Sequence, residues 1–131
     1  MASGSERILG ACIEVHRHLG PGLLESAYEQ CVEHELRERG IATERQVAVP
    51  LVYKTLNIPD AYRVDLIVAQ RVVLELKTVE NLLDVHAAQV ITYLRLTDLP
   101  IGLLVNFHAA TLRGHIRRLV NPTHHVPRVS E

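Results

Sequence analysis

The sequence has no tryptophan, one phenylalanine and four tyrosines among 131 residues, so it offers few rings on which unpaired bases could stack. Cysteine is equally scarce: Cys12 and Cys31 are the only two, both inside helix-like apolar patterns. A disulfide scaffold and a zinc framework are thereby excluded, and buried thiols are expected instead. No apolar run approaches the roughly 20 residues that cross a bilayer. The opening MASGSER carries no apolar signal-peptide core, so a soluble cytoplasmic protein without a membrane partner is expected. Glycine-rich phosphate loops, a nucleophile elbow and a dinucleotide fingerprint are also missing, which leaves little support for a small-molecule enzyme. A net charge of -1 denies the chain a bulk positive field for gripping nucleic acid.

What is present describes a globular chain. Apolar residues make up 47% and charged residues 22%, enough for a hydrophobic core. One domain spanning residues 1–131 is expected, with its core at about 6–120 and a mobile tail at 121–131. Charge is uneven, because Arg113, His115, Arg117, Arg118 and Arg128 make the C-terminal part basic. That patch could contact phosphates, or could equally be an ordinary solvated edge. Among the eight histidines, the pairs His16 and His18, and His124 and His125, lack the i, i+4 spacing of a metal clamp, so surface or capping roles are expected.

Periodicity predicts two helices first, over Glu6 to Leu19 and from about Leu23 to Arg39, separated by Gly20-Pro21-Gly22. Leu24, Ala27, Cys31 and Leu36 are expected to face the core. Ile41 to Val52 alternates like a strand, with Pro50 marking an edge or a strand end. Tyr53 to Asp60, containing Asn57 and Pro59, reads as a loop. A helix is expected from about Asn81 to Leu96, carrying His86, Gln89 and Tyr93 on one stripe. A fully covered strand follows over Ile101 to Phe107, and a more exposed one within Thr111 to Val120.

The stretch from Tyr62 to Val79 organises the rest. It reads YRVDLIVAQRVVLELKTV, two apolar strand-like runs that contain Asp65, Glu75 and Lys77. Charge within a strand pattern is costly unless it is paired or used. A three-residue loop over Ala69, Gln70 and Arg71 sets Leu66 against Leu74 and Val68 against Val72, giving one continuous apolar face. The same register sets Asp65 opposite Glu75. Two carboxylates and a lysine together suit magnesium, which takes one or two carboxylates and completes its shell with water and phosphate oxygens. The alternative is a structural ion-pair cluster.

Asp65, nine residues, then Glu75-Leu76-Lys77 resembles the signature of the PD-(D/E)xK nuclease superfamily, with Val64 at the variable proline position. Gln89 and Tyr93 are similar to the glutamine-tyrosine motif of its RecB-like branch. Gly22-Leu23-Leu24-Glu25-Ser26-Ala27-Tyr28 fits the motif of the GxxExxY protein family, and with Gly102 to Phe107 the resemblance covers about residues 6–120. It implies an α/β, restriction-endonuclease-like core in which a mixed sheet is flanked by helices in the order α-α-β-β-β-α-β-β. It also implies a metal-dependent nuclease hydrolysing nucleic-acid phosphodiester bonds. In that reading Glu25, Asp65, Glu75 and the Leu76 carbonyl hold Mg2+ or Mn2+, and Lys77 assists the attacking water. Gln89 and Tyr93 support the site. With so few elements to grip a duplex, a homodimer is expected. The alternative function is a non-catalytic module of the same fold that binds nucleic acid or a protein partner.

Overall fold

The structure is a computed structural model and describes residues 4–123. Helix α1 spans Gly4–Leu19 and α2 spans Glu25–Glu38, and strands β1 Thr43–Tyr53, β2 Leu56–Val68 and β3 Val72–Lys77 follow. Then come α3 Asp84–Thr97, β4 Ile101–Asn106 and β5 Ile116–Val120. The expected order of helices and strands is met in full. Most of the expected tail, including His124, His125 and Arg128, lies outside the described residues. Its first residue is anchored, since the buried Asn121 side chain donates to the carbonyls of Leu94 and Leu99.

The sheet runs β1-β2-β3-β4-β5 in space. Only β3 and β4 are parallel, so the sheet is mixed, and α3 is the crossover between them. Continuous apolar runs in β3 and β4 follow from that position, because both faces are covered. Leu66, Leu74, Leu76, Leu103 and Val105 pack with α1 and α2 on one side, while Val73 and Leu104 pack with Val90 and Leu94 of α3 on the other. Gly102 lets α3 come close: a Cβ there would stand 2.5 Å from Val90 Cγ1.

Two local readings differ from the structure. On α2, Leu36 is buried as expected and Cys31 packs against the core, but the face centres on Tyr28, Val32 and Leu36, and Leu24 is exposed. Residues 53–60 are not a loop. A tight turn at Lys54 and Thr55 joins β1 to β2, and Lys54 adopts a φ of 52°. Pro50 and Pro59 survive within strands because the pairing shifts register between Val49 and Leu51, where a bulge spares prolines the ladder bonds they cannot make. The β2–β3 turn is as expected, with Leu66 paired to Leu74 and Val68 to Val72.

Candidate functional site

The backbone ladder between β2 and β3 runs from Val68–Val72 to Leu66–Leu74. One step further, side chains replace it. The Asp65 N–H donates to Glu75 Oε1 at 2.9 Å, and the Leu76 N–H donates to Asp65 Oδ2 at 3.0 Å. Each carboxyl group therefore satisfies an amide of the opposite strand, an amide that burial would otherwise make costly. Both acids are buried, at 8% and 3% exposure.

Two buried acids in contact do not both ionise readily. Burial pushes Glu75 up from its ordinary 4.5 to about 9, and the neighbouring Asp65 charge adds to the shift. Asp65 is also raised, chiefly by burial, while the Leu76 amide and hydrogen bonding from Glu75 pull it back down. The pair therefore takes up protons at higher pH than two free carboxylates would. Lys77 is half-buried, and its Nζ donates to Gln89 Oε1 at 3.4 Å. Tyr93 packs its ring 5.7 Å from that of Tyr62, and burial together with Glu75 and Asp65 pushes its hydroxyl up to about 12.

Helix α2 brings two further acids. Glu25 is raised by burial and by Asp65, and Lys77 opposes the shift. Glu29, one turn along, is buried and accepts from Gln46 Nε2 at 2.8 Å. Neither Glu29 nor this role of Gln46 was read from the sequence, although the i, i+4 spacing of Glu25 and Glu29 marks them as one face. Arg45 and Gln46 are adjacent in a strand yet both reach Glu29, and the left-handed φ of 55° at Gln46 makes this possible.

Tyr28 holds the entrance to α2 in place. Its hydroxyl donates to the Gly20 carbonyl and accepts from the Leu23 N–H at 3.2 Å, and its ring packs 4.6 Å from Phe107. Gly20 and Gly22 adopt φ values of 68° and 103°, which admit the sharp turn between the helices. The GxxExxY pattern is thus explained by local physics: a glycine turn, an acid facing the sheet, and a tyrosine that closes the turn. His86 accepts from the Leu83 N–H at 2.9 Å and caps α3 rather than joining the cluster.

A family model described as the PD-(D/E)XK nuclease superfamily matches residues 2–119. The chain belongs to this superfamily. No curated protein and no solved structure matches it. A superfamily fold is nevertheless distinct from a superfamily activity. Among the described residues, no group of three or more His, Cys, Asp or Glu is arranged to hold a metal ion. This overturns the expected metal-dependent nuclease activity and the expected Mg2+ or Mn2+ cofactor.

The physical reason lies in the donor set. A hard divalent cation needs ionised carboxylate oxygens with lone pairs to spare. Here burial pushes Glu75 up to about 9, and one oxygen of each paired acid is already engaged by an amide. No buried side-chain nitrogen or oxygen among the described residues lacks a hydrogen-bond partner. The cluster is satisfied by the protein itself. No helix among the described residues is long and apolar enough to cross a membrane.

Proposed function

We propose that the chain is a non-catalytic nuclease-fold module that binds nucleic acid without cutting it. The observation that carries this reading is the crossed bonding of Asp65 and Glu75, whose oxygens serve the opposite strand's amides. Such a pair spends its chemistry on holding two strands together. Superfamily membership supports nucleic acid as the ligand, because the fold is shared with proteins named for acting on it. Within the superfamily we assign the chain to the GxxExxY branch, on Gly22, Glu25 and Tyr28.

Of the residues first read as catalytic, Lys77 and Gln89 are proposed as ligand contacts. Their mutual bond is long at 3.4 Å and both are half-buried, so phosphate or base edges can compete for them. Asp65 and Glu75 are proposed as the rigid floor, and Tyr93 as the wall beside it. An electrophoretic binding assay in a metal chelator tests the proposal. Binding should persist without metal, yield no cleaved product on adding manganese, and weaken several-fold in Lys77→Ala. Absence of binding to both single-stranded and duplex DNA and RNA would overturn it.

A further inference from the structure

Beyond the reach of β3, the β1–β2 hairpin continues as a two-stranded arm ending at Lys54 and Thr55. On this arm Leu51 pairs with Ile58 and Tyr53 with Leu56. Residues two apart on a strand share a face, so these four side chains form one apolar block. Tyr53 is 61% exposed, Leu56 55% and Ile58 37%. Four such side chains offer several hundred Å2, the scale of the apolar centre of an interface that buries about 800 Å2 on each partner.

We infer that this block is a self-association surface, and that its occupant is the same block of a second copy of the chain. The charges at its two ends point to that occupant. Lys54 stands at the tip, with its Nζ 5.3 Å from the centre of the Tyr53 ring, and Asp60 stands at the base, exposed and only loosely paired with exposed Arg63 at 3.7 Å. A two-fold axis through the block turns the arms antiparallel, bringing each Lys54 against the other copy's Asp60. An isologous contact needs this self-complementarity, whereas an unrelated partner does not. Nucleic acid is the poorer occupant, since the arm's end offers phosphates a single cation. Addition of a strand along the edge of β1 is also poor: Pro50 supplies no N–H and Gln46 breaks the extended backbone.

This inference does not depend on the ligand reading, and its test contains no nucleic acid. Sedimentation of the full chain over a range of concentrations should show a reversible monomer–dimer equilibrium. Leu56→Asp should raise the dissociation constant at least about tenfold, with the circular dichroism of the monomer unchanged. Lys54→Asp should weaken the dimer, and adding Asp60→Lys should restore it. This exposed charge swap decides the matter even if Leu56→Asp fails to fold. A wild type that stays monomeric throughout, or a double swap no tighter than Lys54→Asp alone, would overturn the proposal. So would Leu56→Asp and Lys54→Asp variants that both sediment as wild type.

Discussion

The two halves of β2 invert the usual rule of burial. From Val64 to Val68 the strand is fully buried and yet contains a carboxylate, while from Leu56 to Asp60 it is fully exposed and yet carries Leu56 and Ile58. The difference follows from neighbours. The buried half has β3 beside it, whose Leu76 amide and Glu75 side chain satisfy and neutralise the environment of Asp65. The exposed half has outrun β3 and has only β1. A buried charge that is fully bonded holds strands together, and an apolar surface left in water is available for association.

The same substitution in each half breaks the comparison most sharply. Leu66→Ala should cost about 2–5 kcal/mol by leaving a cavity between the sheet and the first two helices. Leu56→Ala should change stability by no more than about 0.5 kcal/mol in the monomer. Denaturant titration of both variants checks the pair, and equal losses would mean that the arm is packed. Gly102→Ala should cost about 1–3 kcal/mol, because the added methyl meets Val90 and Leu94 and must push α3 off the sheet. Tyr28→Phe removes a hydroxyl that serves two backbone groups of the α1–α2 turn. About 1–2 kcal/mol is expected from thermal unfolding.

The pH dependence of stability concerns the buried half alone. Folding draws a proton onto Glu75 from its ordinary 4.5 up to about 9. Between those values the folded chain binds more protons than the unfolded one, so stability falls as pH rises through the window. Above about 9 this loss is complete, and below 4.5 it is absent. Glu75→Gln can keep the bond to the Asp65 amide without the titration, so its unfolding temperature should be flatter across that range than that of wild type. Parallel profiles for the two proteins would show that Glu75 ionises freely.

Much of the fold was legible because its signals are local. The apolar runs of β3 and β4, the glycine turn after α1 and the register over Ala69 to Arg71 each follow from residue types and spacing. The arm was not legible, because Asn57 and Pro59 look like breakers. Only beyond the end of β3, where β2 has one free edge, do they fit in a strand. On α2, Leu36 was legible, but Leu24 was wrongly placed inward and Glu29 was missed: Leu24 is more apolar than Glu29, and the partner that makes Glu29 acceptable, Gln46, lies 17 residues away. At the site, the meeting of Asp65 and Glu75 was readable from strand register. Their protonation and their crossed bonds to backbone amides were not, since both depend on burial in three dimensions.

The most direct test of the account is calorimetric titration of manganese into wild type and Asp65→Asn near neutral pH. The account predicts no specific binding by either protein, because the paired acids are bonded to opposite-strand amides and burial raises both. Stoichiometric binding by wild type that Asp65→Asn abolishes would contradict it.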